Sequence, residues 1–141
     1  PMFKFTIPYP TGKAKAQFCK QYGLNSIYAG KHWSKRAEDA EYWKWLVRHE
    51  MQKQGVPRKL LDEPVAILMA FDDGLDCSNH AYMGKMIEDA MVGYALHNDN
   101  RKHVKLIVYG FMENKEITVA VVPWNKLETI WCRVLGENKD K

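Results

Sequence analysis

An α/β fold built on a mixed sheet is what this sequence predicts, and three observations lead there. Val65 to Phe71 is a nearly continuous apolar run between Pro64 and Asp72-Asp73-Gly74, as expected of a buried central strand. Met83, Met86, Ile87, Ala90, Met91 and Tyr94 recur at helical spacing soon after it. Strand-like segments then run from Val104 to Met112 and from Ile117 to Val122. The order strand, helix, strand, helix, strand, strand (β-α-β-α-β-β) gives a mixed β-sheet with flanking helices. With 141 residues, 46% of them hydrophobic, the chain suits one domain over 1–141 with a core of its own.

In order, Phe3-Lys4-Phe5-Thr6-Ile7 alternates apolar and polar and reads as a strand ended by Pro8 and Pro10. Thr11 to Lys31 mixes turn residues, lysines and aromatics without clear periodicity, so a long loop is expected. Ser34 suits the cap of a helix running to about Gln54, with Ala37, Ala40, Trp43, Val47 and Met51 as its buried stripe. Trp45 points away from Trp43 and gives that helix a second adhesive surface, for a partner subunit or for the N-terminal loop. Gly55, Pro57 and Pro64 end the helix and open a connection. Asn79 or Ser78 can cap the next helix, and Gly93 suits its end. The two later strands are expected to pair as a hairpin through Glu113-Asn114-Lys115-Glu116. Leu127, Ile130, Trp131 and Val134 predict a short C-terminal helix, followed by a frayed tail over 136–141.

Charge is segregated. Residues 1–36 hold seven basic residues and no acidic one, whereas the remainder holds 14 basic and 17 acidic residues. The formal net charge of +4 thus arises entirely in this N-terminal segment, from Lys4, Lys13, Lys15, Lys20, Lys31, Lys35 and Arg36. A segregated basic segment attracts polyanions, although a solvated lysine-rich loop has the same composition. Tyr22, Tyr28 and Trp33 are interleaved with these cations. They can stack on unpaired bases or pin the segment to the core. No apolar run approaches the roughly 20 residues that span a bilayer, and the N-terminus lacks an apolar signal core. Three cysteines, at 19, 77 and 132, have no zinc-site spacing and point to a reducing, intracellular setting.

The chemistry-bearing residues are concentrated between Asp76 and Val104. Asp76-Cys77-Ser78-Asn79 precedes the second helix, Lys85 and Asp89 lie one turn apart on its polar face, and Asn98-Asp99 follows it. Carboxylates without clustered cysteine or histidine favour hard cations such as Mg²⁺ or Mn²⁺, which promote phosphodiester chemistry. A nearby lysine can offset transition-state charge. Asn79 could orient a carboxylate or a metal-bound water. The same residues also suit solvated caps, and Asp89 suits a salt bridge to Lys85.

Asp76-x-Ser78-Asn79, Lys85-x-x-x-Asp89-Ala90, Gly93 and Asn98-Asp99 before a strand resemble the RusA family of Holliday-junction resolvases, often encoded by phages and prophages. The likeness is specific from about Val65 to Val122 and looser before that. It implies a Mg²⁺-dependent endonuclease of the bacterial cytoplasm, acting as a homodimer that nicks branched DNA in symmetric pairs. By position it implies Asp76 and Asp99 as metal ligands, Lys85 as the lysine at the site and Asp89 as a further family aspartate. Lys13, Lys15, Lys20, Lys31, Trp33, Lys35 and Arg36 are expected to contact DNA. The chain departs from the family pattern at Ser78, where a second aspartate is usual, and at Asn98. It also carries three extra residues between Asn79 and Lys85. Ser78 would then be a weak third ligand, with Asp72 or Asp73 as substitutes. A branched-DNA-binding protein without efficient cleavage is the alternative, and a protein-interaction factor without a DNA role is a third reading.

Overall fold

The computed structural model describes residues 2–136. Four strands, β1 (Phe3–Pro8), β2 (Val65–Phe71), β3 (Val104–Phe111) and β4 (Glu116–Pro123), form one mixed sheet in the order β1-β4-β2-β3. β2 runs parallel to β3, from Val65 opposite Val104 to Phe71 opposite Phe111, and antiparallel to β4. β4 is also antiparallel to β1. The apolar run of β2 thus occupies a central position, as predicted. Val65, Ile67, Met69 and Phe71 of β2 and Ile117, Val119 and Val121 of β4 join a single buried core.

The expected hairpin between β3 and β4 does not form. The chain leaves β3, crosses the C-terminal end of β2 and enters the sheet on its other side. The Met112 N–H donates to the Phe71 carbonyl at 3.2 Å. The Asp72 carboxylate then accepts the backbone N–H groups of Asn114 at 3.1 Å and Lys115 at 2.6 Å. This arrangement gives β2, the most apolar strand, a partner on both edges.

Helix α1 (Lys13–Tyr22) and helix α2 (Leu24–Tyr28) replace the expected loop. Phe18 and Tyr22, one turn apart, bring α1 onto Trp43, with ring centroids 5.5 and 5.3 Å away. The joint between the two helices is tight, since a Cβ on Gly23 would lie 2.8 Å from the Cys19 carbonyl oxygen. Helix α3 (Trp33–Lys53) starts before Ser34. Its cap is His32, whose Nδ1 accepts the Ser34 N–H at 3.2 Å. Trp43, Val47 and Met51 are buried as predicted, but Ala37 and Ala40 are exposed, and Asp39 and Glu50 are buried instead. The early turns of α3 turn Asp39 inward, onto Lys31 and Tyr82, which leaves Ala37 and Ala40 on the outer side.

Helix α4 (Ala81–Met91) buries its whole predicted stripe, and Gly93 (φ 86°) turns the chain after it. Neither Ser78 nor Asn79 caps α4 through its side chain; the helix is entered through a 3-10 turn, Cys77–His80. Helix α5 (Glu128–Val134) follows a second such turn, Trp124–Lys126. It buries Cys132, whereas Ile130, Trp131 and Val134 of the predicted stripe face outward and Leu127 is half-buried. The expected frayed tail, beyond Gly136, lies outside the described residues. Among the described residues, no helix is long and apolar enough to cross a membrane.

Candidate active site

Polar groups gather in two places, after the C-terminal end of β2 and on the polar face of α4. At the C-terminal end of β2, Asp73 is enclosed. Its Oδ1 lies 2.8 Å from His80 Nε2 and accepts the Leu75 N–H at 2.9 Å, and its Oδ2 accepts the Tyr9 hydroxyl at 2.7 Å. Burial alone would raise this carboxyl. The hydrogen bonds from His80, Tyr9 and Leu75 outweigh it and hold Asp73 below the usual carboxylate range. Phe71 stacks on the His80 ring at 3.9 Å. Burial, reinforced by Asp73, raises the Tyr9 phenol far above its ordinary value. Asp73 is therefore committed to the fold, as Asp72 is to the β3–β4 crossing, and neither stands free as a substitute ligand. Asp76 and Ser78 are exposed on the turn that this bracket holds, with Asn79 half-buried beside them.

α4 then runs back toward the start of β2, where Leu96 bridges to Leu61 and Val92. On the polar face of α4 the Lys85 Nζ lies 2.7 Å from Asp99 Oδ2, 3.1 Å from Asp89 Oδ1 and 3.5 Å from Glu88 Oε1. Oxygens of Glu88, Asp89 and Asp99 all lie within 4.8 Å of one another. The hydrogen bond to Asp99 is the chief cause that raises the Lys85 ammonium well above the ordinary lysine range; burial opposes it, and Asp89 and Glu88 add to it. The same hydrogen bond from Lys85 lowers Asp99. Glu88 behaves differently: burial raises its carboxyl, Lys85 opposes this, and Asp99 and Asp89 add to it. Tyr109 closes one side, and its ring occupies the space beside Gly84, where a Cβ would lie 2.4 Å from the ring. Burial raises the Tyr109 phenol, and Glu88 raises it further.

The fold thus unites Lys85, Asp89 and Asp99, and among the described residues no hydrogen bond or ion pair links Asp76, Ser78 or Asn79 to them. Glu88 is the addition that sequence reasoning missed. Its signal was present, because a residue three after Lys85 is as much a helical neighbour as one four after it.

Glu88, Asp89 and Asp99 are of the kind that could hold a hard divalent cation. Ligand oxygens about 2.0–2.1 Å from Mg²⁺ must converge more closely than the 4.8 Å limit seen here, and the Lys85 ammonium lies against all three carboxylates. Glu88, Asp89 and Asp99 would hold such an ion, with Lys85 giving up part of its hold on Asp99.

The basic segment divides in two. Lys31 forms a buried ion pair with Asp39, donates to the Gln21 carbonyl at 2.7 Å and lies over the Tyr22 and Tyr82 rings. Asp39 also accepts the Tyr82 hydroxyl at 2.8 Å. Lys15 donates to the Asp72 carbonyl at 2.8 Å. These two lysines hold the fold and are not free phosphate contacts. Lys13, Lys20, Arg36, Trp33 and Tyr28 are exposed, as is Lys35, 3.3 Å from Glu38. Tyr22 is buried, and burial pushes its phenol up to about 12. A groove of about 810 Å³ lies among α1, α2, the start of α3 and the Asp76 turn, with Lys20, Lys35, Asn25 and Asn79 on its walls. The sequence-distant basic segment and the Asp76–Asn79 turn therefore share one concave surface.

Compared with family models, curated proteins and solved structures, the chain matches none.

Proposed function

We propose that this protein is a divalent-cation-dependent endonuclease for branched DNA, of the RusA kind that its motifs resemble. The observation that carries the reading is the convergence of Lys85 with Asp99, Asp89 and Glu88 on the face of α4. Three of these four residues belong to the motif, and the fourth completes an oxygen set for Mg²⁺ or Mn²⁺. A bound cation would supply Lewis-acid stabilisation of the phosphodiester and a hydroxide at neutral pH. Lys85 stays charged throughout, so its ammonium can neutralise charge developing on the scissile phosphate. The groove lined by Lys20 and Lys35 is the surface for the DNA backbone.

One observation favours the alternative of a branched-DNA-binding protein that cuts poorly. Lys85 already satisfies Asp99 and Asp89, and Asp76 makes no hydrogen bond or ion pair with them among the described residues. Paired nicks need two sites, so the active form is proposed to be a two-fold homodimer. Binding and cleavage of a labelled four-way junction, with duplex as control and with EDTA, Mg²⁺ or Mn²⁺, separate these readings. Metal-dependent cutting supports the nuclease. Junction-selective binding without cutting supports the binding protein. Equal weak affinity for junction and duplex contradicts both.

A further inference from the structure

A second ring-bearing surface lies on α3, and neither the basic groove nor the Lys85 cluster uses it. Trp45 follows Trp43 by two residues, about 200° around the helix. Trp43 is fully buried and Trp45 is 60% exposed, so a tryptophan occupies the middle of the solvent face. It is not isolated. The His49 ring lies nearly parallel to it, with centroids 5.2 Å apart and 9° between planes, and exposed Tyr42 lies 6.3 Å away on the other side. Beside this row is a cavity of about 320 Å³, walled by Lys44, Trp45, Arg48, His49, Arg58 and Tyr94 among others. That volume is at the lower end for a small-molecule site.

The charges around the row select its occupant. Glu41 is the only acidic residue on the cavity wall, against Lys44, Arg48 and Arg58. Arg48 is anchored by donating to the Ala90 and Val92 carbonyls at 2.9 and 2.7 Å. Arg58 is poised over the Tyr94 ring at 5.3 Å. A flat aromatic face beside cations, two of them held in place, is how proteins hold unpaired bases: the ring stacks on the base and the cations meet its phosphate. A protein partner seated through apolar contact would not need this excess of positive charge.

We propose that the outer face of α3 binds an unpaired nucleotide of single-stranded nucleic acid, with the base on Trp45 and the phosphate toward Arg58 and Lys44. This site is separate from the Lys85 cluster and does not depend on the nuclease reading.

Fluorescence anisotropy of a labelled oligo-dT titrated with the full chain tests it, alongside sedimentation of each variant. Trp45→Ala should weaken oligo-dT binding about tenfold, the loss expected for one base stack. Trp45→Phe should restore most of the affinity, and Arg58→Ala should weaken binding and flatten its salt dependence. Trp45 and Arg58 lie outside the core, so loss of fold does not confound the result, and circular dichroism checks this. Absence of oligo-dT binding in the wild type overturns the proposal. So does unchanged affinity in Trp45→Ala. A switch from dimer to monomer in Trp45→Ala, with oligo-dT affinity intact, would reassign the face to self-association.

Discussion

Removing one hydroxyl from Tyr9 tests the bracket that holds the Asp76 turn. In Tyr9→Phe the ring keeps its burial and its edge-on contact with Phe18 at 5.8 Å. Two hydrogen bonds disappear: the one donated to Asp73 Oδ2 at 2.7 Å and the one accepted from the Asp72 N–H at 3.1 Å. A bond to a charged group contributes about 1.5–3 kcal/mol, and an orphaned buried donor costs about 1–3 kcal/mol. Asp72 is only half-buried, so water can recover part of the second loss. The expected destabilisation is about 2–3 kcal/mol at pH 7, measured as a shift in urea midpoint with unchanged slope. The pH dependence carries the sharper test. The native Asp73 carboxyl is held below its unfolded value of about 3.9. Its contribution is therefore fully present above that value and lost as pH falls through the lower native one. Tyr9→Phe removes one of the bonds that lowers Asp73, so the gap between variant and wild type should narrow as pH falls from 5 to 2.5. A gap of the same size at both ends of that range, or one under about 0.5 kcal/mol at pH 7, would refute the reasoning.

Lys85→Ala should slow junction cleavage at least about a hundredfold while changing junction affinity less than about threefold, which rate and binding titrations on the same substrate resolve. It should also tighten Mn²⁺ binding by calorimetry, since Asp99 and Asp89 lose a competing cation. Lys20, Lys35 and Arg36 to alanine should each reduce the log K against log salt slope by about 0.9 on duplex DNA. Lys31→Ala should instead destabilise the fold by about 3 kcal/mol, because it leaves Asp39 buried without its cation, and urea unfolding reads this directly. Gly84→Ala forces the Tyr109 ring to move and should cost about 1–2 kcal/mol, with most of it recovered by adding Tyr109→Leu.

What could be read from the sequence was what short-range periodicity encodes. β2 and α4 each carry an uninterrupted apolar pattern, and both formed where the pattern put them. α1 was invisible because its buried face is only Phe18 and Tyr22, set in alternating lysine and alanine that mimic no helix stripe. The burial of Asp39 was invisible too, since its partners Lys31 and Tyr82 lie eight and 43 residues away and only the folded chain unites them. The β3–β4 crossing failed for the same reason: a four-residue link suits a hairpin locally, but the central position of β2 decides the pairing. At the site, the helical offset of Lys85 and Asp89 was legible. The approach of Asp99 depends on how the loop after Gly93 returns, and no spacing rule supplies that.

The claim that the Lys85 cluster is the catalytic centre is tested most directly by Asp99→Asn on a four-way junction. Its carboxylate is the one closest to Lys85 and reaches α4 only through the fold, so the substitution alters the cluster without touching the Asp76 turn. Cleavage rates in Mn²⁺ would be compared with junction affinity in Ca²⁺. The account predicts paired nicks by the wild type, loss of cutting by at least about a hundredfold in Asp99→Asn, and affinity preserved within about threefold. Wild-type cutting in Asp99→Asn, with Asp76→Asn alone abolishing it, would contradict the account and move the chemistry to the Asp76 turn.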